Sequence, residues 1–320
     1  MSENLFIHPE NYFTQNTPPE NLSDIIRNTS DFIAENAKHG IPIVLVTSGG
    51  TTVPLENNTV RFVDNFSAGT RGAISAEFFL KSGYSVIFLH RKHSLQPFNR
   101  KYATPELGFL DFFTTNSSGS ISVKEQYQKS MSSDISLFNN AILQKRLYMP
   151  SFISLSDYLF SLREITKLLG KLGSKACFYL AAAVSDFFIP NDQMSEHKIQ
   201  SSEGELFLKM SQVPKFLKPL VKSWAPRSFV ISFKLETDES LLEEKARKSL
   251  EKYGHQAVIA NMLHTRKFVV WIILNDNIQK PEEIHLTQAQ IDQSFEIEDL
   301  IIQRIVQLHN SFINSEKSRI

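Results

Sequence analysis

The stretch Ile41-Pro42-Ile43-Val44-Leu45-Val46-Thr47-Ser48-Gly49-Gly50 decides how the rest of the chain is read. Ile41 to Thr47 is a continuous apolar run and not an alternating one, which suits a central parallel strand covered on both faces. Runs of the same kind recur at Tyr84 to His90, Cys177 to Val184, Phe229 to Leu235, Gln256 to Ala260 and Phe268 to Leu274. Helical patterns separate several of them. One runs from Ala73 to Ser82 with Gly83 as its stop, and another from about Glu239 to Tyr253 with Asp238 as cap and Gly254 as stop. This alternation predicts an α/β fold: an open, mostly parallel mixed sheet with helices on both faces and ligands at the carboxyl ends of its strands.

Outward from these strands, Asn21 to Lys38 has helical spacing and ends before Gly40, giving a helical N-terminal extension over about 1–40. Residues 92–171 are less periodic, with a polar segment at Thr114 to Ser122, and read as a partly helical insertion or lid within a single domain spanning 1–320. Ile297, Leu300, Ile301, Ile305, Leu308 and Phe312 outline an amphipathic helix suited to packing on its own sheet. A chain of 320 residues with 42% hydrophobic content can bury a full core, which excludes disorder as its overall state. Thirty-four basic residues balance thirty-four acidic ones, so no global field draws it to nucleic acid or an anionic membrane. The single cysteine, Cys177, excludes an intramolecular disulfide and sits in an apolar run as a small hydrophobe. Met1 to Gln15 has neither the basic start nor the apolar core of a signal peptide, and no run is long enough to span a bilayer. These features predict a soluble cytoplasmic protein, with the nucleus open to it as a second compartment.

The chemistry concentrates in a few segments. Gly49, Gly50, Gly69 and Gly72 fall between the first strand and the next helix, in a connection far longer than the roughly two to six residues usual there. Asn65-Phe66-Ser67-Ala68-Gly69-Thr70-Arg71-Gly72 ends on a helix N-terminus, where free N–H groups and the helix dipole attract phosphate, and missing Cβ atoms would let it approach. The pattern is neither a P-loop nor a clean GxGxxG. A hairpin excursion with turn glycines, and Ser67 or Thr70 as simple caps, are the bland alternatives. Ala181-Ala182-Ala183-Val184-Ser185-Asp186-Phe187 ends a strand in small residues followed by a carboxylate, and Asp186 alone could be a turn cap. Met194 to Ser201 reads as a mobile polar loop in which Lys198 alone would be an ordinary solvated lysine. Phe233-Lys234 and Ala260-Asn261 lie at strand ends, where an aromatic is usually core and an asparagine usually a turn. From residues alone the reading reaches a nucleotide or phosphate site and no particular reaction.

The segments together resemble one family. VTSGGTTVPLE at Val46 to Glu56, VRFVDNFSAGTRGA at Val60 to Ala73, AAAVSDF at Ala181 to Phe187, HKIQSSEG at His197 to Gly204, ISFKLETD at Ile231 to Asp238 and VIAN at Val258 to Asn261 look like the phosphopantothenate–cysteine ligases, in particular their stand-alone eukaryotic branch. The resemblance implies Rossmann-like and ribokinase-like features around one sheet, and ligation of phosphopantothenate to cysteine through an acyl-adenylate in coenzyme A synthesis. ATP is the implied co-substrate, with Mg²⁺. It implies that Gly49, Ser67, Gly69, Gly72, Phe233 and Asn261 contact the nucleotide, and that Asn65, Ala182, Ala183 and Asp186 line the phosphopantothenate site. In a homodimer Arg61 would reach the phosphate of substrate held by the other subunit, and Lys198 would close over the site. Asn65 and Lys198 carry the chemistry in this reading, and no metal ligands transfer. Lys198-Ile199-Gln200-Ser201 stands where bacterial relatives carry Lys-x-Lys-Lys, so only Lys198 carries over. The rivals are a nicotinamide-dependent oxidoreductase, which a glycine-rich loop after a first strand also suggests, and a catalytically silent regulatory protein of the same fold.

Overall fold

Along the first strand Ile43, Val44, Leu45 and Val46 are all fully buried, so the strand must be covered on both sides. Ile43 and Leu45 point into one apolar cluster and Val44 and Val46 into another, as the two-residue period of a strand requires. The computed structural model describes residues 9–103, 107–200, 204–275 and 280–318. The chain begins with helices α1 (Pro9–Gln15) and α2 (Leu22–Lys38), and then runs through strands β1 (Ile43–Ser48), β2 (Thr52–Pro54) and β3 (Phe62–Asp64). Helix α3 (Thr70–Lys81) leads to β4 (Ser85–Arg91), the small hairpin β5 (Phe113–Thr115) and β6 (Ile121–Val123), and helix α4 (Glu125–Leu143). Next come β7 (Leu147–Tyr148), β8 (Ser151–Phe152), α5 (Leu155–Leu169), β9 (Ala176–Leu180), β10 (Phe187–Phe188), β11 (Ser211–Gln212) and the short α6 (Leu217–Pro219). The chain closes with β12 (Phe229–Glu236), α7 (Leu242–Tyr253), β13 (Ala257–Met262), β14 (Val269–Leu274), β15 (Glu282–His285), α8 (Gln288–Asp292) and α9 (Ile297–Lys317).

Nine strands form the main sheet in the order β15-β14-β13-β12-β9-β1-β4-β7, with β8 also paired to β4. Pairing is parallel from β7 and β8 across to β13, and antiparallel where β14 meets β13 and β15. One face is covered by residues of α1, α2 and α5, and the other by residues of α3 and α9. From β1 the chain crosses through α3 to β4 on one side, whereas β9, on the other side of β1, feeds β12 further away. Connections that leave neighbouring strands in opposite directions open a crevice at their carboxyl ends. Here that crevice lies beyond Ser48 and Leu180.

The apolar runs appear as strands to within a few residues, and the differences have local causes. The run at Cys177 to Val184 is strand only as far as Leu180, because Ala182 N–H donates to the Thr47 hydroxyl oxygen and Ala183 pairs with Gly50 instead of extending the ladder. Helix α3 begins three residues earlier than the periodicity suggests, with Gly69 in its capping position. The stretch 92–171 divides in two: the β5–β6 hairpin stands outside the main sheet, whereas β7, β8 and α5 complete the sheet and one face, burying Leu159, Phe160, Leu162 and Ile165. Cys177 is fully buried, and burial pushes its thiol pKa up, away from nucleophilic use.

Helix α9 is anchored by a buried histidine. His309 is fully buried, its Nε2 lies 2.8 Å from the Ser174 carbonyl and its Nδ1 2.8 Å from the Tyr84 hydroxyl. A carbonyl can only accept, so Nε2 carries the proton and Nδ1 accepts from Tyr84. Burial lowers its pKa from 6.5 to about 4. The unfolded chain therefore takes up a proton near pH 6.5 that the fold refuses until about pH 4, and stability, complete above 6.5, drains away as pH falls through that window. In urea unfolding, His309→Gln should lose less stability than the parent between pH 7 and pH 5, by roughly 2 kcal/mol. Identical pH dependence in the two proteins would remove His309 as the source.

Candidate active site

The connection from β1 to α3 is a β2–β3 hairpin folded back against the end of β1. Gly49 has φ +83°, and at Gly50 a Cβ would fall 1.6 Å from the Asn65 carbonyl oxygen. Asn65 N–H donates to the Thr51 carbonyl at 3.1 Å, so its backbone is held from both sides. Gly69, with φ +82°, caps α3 and accepts the Ser48 hydroxyl on its carbonyl at 3.0 Å. A Cβ at Gly72 would meet Ser48 Oγ at 2.4 Å, and one at Gly69 would meet it at 2.9 Å. The expectation that these two glycines clear space for a phosphate is therefore corrected: the space that their missing side chains leave is filled by Ser48, and they let α3 dock on the end of β1. Arg71, in the first turn of α3, pairs with Glu298 in the first turn of α9 at 3.2 Å and secures that docking. The helix start has no side-chain cap, and Ser67 Oγ accepts only a long 3.4 Å bond from Gly69 N–H. Its first-turn donors remain suited to an anion.

Beyond β9, Ala183 N–H donates to Gly49 O at 2.8 Å and Thr51 N–H to Ala183 O at 3.0 Å, so the two strand-end loops are zipped together. Ala182 and Asp186 of one motif and Phe233 of another, distant in the chain, line one cavity of about 620 Å³ outside the ends of β9 and β12. Phe233 also packs edge-on against Tyr179, 4.9 Å between ring centres. Asn261 is buried on β13, opposite Leu235 of β12. Five lysines share the cavity wall: Lys215, Lys234, Lys245, Lys248 and Lys252. Asp186 is the single lining carboxylate, and Lys215 holds it at 2.7 Å. Glu236 behind the wall takes Lys245 at 2.7 Å and Lys234 at 3.4 Å. Positive charge still predominates, which is what a polyphosphate requires. Sequence reading missed this wall, although Lys245, Lys248 and Lys252 on one face of α7 were visible as a helical repeat. Lys215 and Lys234 join them only through the fold.

Arg61 and Lys198 belong to a third unit. Glu56, fully buried in the β2–β3 connection, accepts the Arg61 guanidinium at 3.1 Å, and the same nitrogen of Arg61 donates to Ile199 O at 3.0 Å. Asn57 and Asn58 bind Glu196, so the hairpin carries the segment that presents Lys198. Lys198 is exposed and forms no ion pair among the described residues. Ser201, Ser202 and Glu203 of the His197 to Gly204 motif lie outside the described residues, as do residues 1–8 of the N-terminal extension. Among the described residues no three His, Cys, Asp or Glu side chains gather as a metal site. No helix among the described residues is long and apolar enough to cross a membrane.

Residues 161–286 match the family described as the DNA/pantothenate metabolism flavoprotein C-terminal domain. Phosphopantothenate–cysteine ligase CAB2 of Saccharomyces cerevisiae is 40% identical over 97% of this chain and 88% of its own length. The phosphopantothenate–cysteine ligase of Homo sapiens is 43% identical over 88% of this chain and 91% of its own. A solved structure of a Cab2 variant in complex with phosphopantothenate-cysteine superposes with a TM-score of 0.89 at 42% identity, covering 96% of this chain and 99% of that one. These relatives are named as ligases, which leaves the oxidoreductase and silent-scaffold readings without support. Likeness of this order, sustained over nearly the whole chain and matched by superposition of the fold, makes the chain a member of the phosphopantothenate–cysteine ligase family.

Proposed function

We propose that the protein joins phosphopantothenate to cysteine with MgATP, by way of an acyl-adenylate, as a step of coenzyme A synthesis. The observation that carries the reading is the lysine-walled cavity on which Ala182, Asp186 and Phe233 converge at the sheet's carboxyl edge. A carboxylate does not acylate an amine at neutral pH, since its leaving group is poor and the amine is protonated. Activation comes first: a carboxylate oxygen bonds to the α-phosphorus as the bridging oxygen departs with pyrophosphate. The cysteine amine, having lost its ammonium proton, then attacks the acyl carbon and AMP leaves. Charge builds on the transferring phosphorus, so preorganised cations and the start of α3 act electrostatically. Asn65, with its backbone fixed by Thr51 and Gly50, is suited to orienting the reacting carboxylate by hydrogen bonds. Gly49, Ser67, Gly69, Gly72, Phe233 and Asn261 lie along the same edge and form the proposed nucleotide side. A homodimer is part of the proposal, and the exposed Val60, Phe62 and Phe66 around Arg61 suit a subunit interface.

Incubation of protein, phosphopantothenate, cysteine and MgATP should give amide, AMP and pyrophosphate in equal amounts. ADP with orthophosphate would point to an acyl phosphate instead. CTP should support less turnover than ATP, and equal rates would remove the ATP preference.

Lys198 should matter more in the transition state than in the ground state. Lys198→Gln is expected to lower kcat roughly a hundredfold. Normal turnover in a folded variant would make it an ordinary surface lysine.

The shared site can be tested by mixing. Arg61→Ala should weaken phosphopantothenate binding and Asn65→Ala should damage chemistry, so that each alone is nearly inactive. In a two-fold dimer that takes Arg61, with the Lys198 segment it holds, from one subunit and Asn65 from the other, random mixing should restore about a quarter of the parent activity. Verified heterodimers with no recovered activity would put both groups in one subunit.

A further inference from the structure

Glu56 accepts four hydrogen bonds, and its partners are not those of a turn alone. Its carboxylate is fully buried. Oε2 accepts the N–H groups of Arg61 at 2.9 Å and Val60 at 3.3 Å. Oε1 accepts the Arg61 guanidinium at 3.1 Å and the Ile199 N–H at 3.4 Å. The Ile199 carbonyl is in turn held by Arg61 at 3.0 Å. The residue immediately after Lys198 is thus held at its carbonyl and, by a longer bond, at its N–H, across chain separations of 138 and 143 residues. Closing the hairpin needs neither a buried charge nor so distant a partner, and burying a carboxylate is costly unless its bonds are well made. The Arg61 amide, then the Val60 amide, the Arg61 guanidinium and the Ile199 amide hold its pKa below the usual carboxylate range against the opposing effect of desolvation.

We propose that Glu56 is the positioning residue that sets Lys198 for adenylation, by clamping Ile199 directly and through Arg61. The proposal rests on the function given above. Glu56 touches no substrate. It acts by fixing the backbone from which the Lys198 ammonium extends, and a displacement of about 1 Å in such a group can cost a hundredfold in rate.

Glu56→Gln is the discriminating variant. Every contact to the carboxylate comes from an N–H donor, so either orientation of the amide sets an NH₂ group against a donor. Expected results are a kcat lowered about ten- to a hundredfold, a KM for ATP changed by less than about twofold, and faster backbone hydrogen exchange at 195–200. A Glu56→Gln, Lys198→Gln double variant should be no slower than Lys198→Gln alone, because the two changes remove one interaction. If Glu56→Gln does not fold, Glu56→Asp serves: it is one methylene shorter, can keep the hairpin amides and cannot span to Ile199. Losses in rate that multiply in the double variant, or exchange at 195–200 equal to the parent, would overturn the role of Glu56. The exchange measurement needs no turnover, so a parent protein that fails to ligate would sink the function without deciding this point.

Discussion

The site depends on a contact that leaves no room for a side chain. The loop leaving β1 passes so close to the returning hairpin that one methyl group at Gly50 would overlap the Asn65 carbonyl. Asn65 is thereby fixed to the end of β1, and its position does not depend on a flexible loop. The same economy of space recurs at Gly69 and Gly72, where Ser48 fills the volume. Because α3 starts there, the direction of its dipole and the place of its first-turn donors follow from its packing on β1, secured by the Arg71–Glu298 pair. Close packing of this kind transmits sub-ångström changes in place of absorbing them, so the zipper between the β1 and β9 loops carries the position of Gly49 to Ala183.

How much of this was legible in the sequence varies with how local its cause is. Strands buried on both faces, such as Ile43–Ser48 and Phe229–Glu236, announce themselves because every position is under the same pressure to be apolar. The edge strand Glu282–His285 passed unnoticed, since an edge is kept polar to discourage further pairing and so lacks the signal of the centre. Helix α5 was lost within a supposed insertion because that stretch opens on the β5–β6 hairpin, which stands outside the main sheet, and its sheet strands β7 and β8 are only two residues long. The glycines were found, yet their reason was misread. A sequence shows that a Cβ is absent but not whether protein or ligand occupies the vacancy. Glu56 lay within a recognised segment without a role, since its partner Ile199 reaches it only through the tertiary fold.

Charge is distributed in a way that the composition conceals. Thirty-four cations and thirty-four anions cancel over the chain, yet the cavity wall sets five lysines against Asp186 alone. Glu236, Glu244 and Asp186 each hold one or two of these ammoniums. Such pairs keep the lysines in place at little net energy, because exposed ion pairs contribute about 0–1 kcal/mol. A polyphosphate entering the cavity would meet ammoniums already held by carboxylates, and could take over their pairing without reorganising the wall.

The three units of the site also differ in what solvent does to them. The glycine zipper is buried and rigid, the lysine wall is half-open, and Lys198 is exposed. At 4 Å an ammonium interacts with a unit negative charge by about 1 kcal/mol in bulk water and about 4 kcal/mol at an effective dielectric of 20. An exposed Lys198 therefore stabilises little until water is excluded around it. Fixing its backbone through Glu56 is useful only if something later covers it, and the apolar hairpin surface bearing Val60, Phe62 and Phe66 lies on the unit that would do so once paired with another subunit. In the proposed reaction the open arrangement would admit the hydrated substrates, and desolvation on pairing, more than any new contact, would give Lys198 its force on the transferring phosphorus.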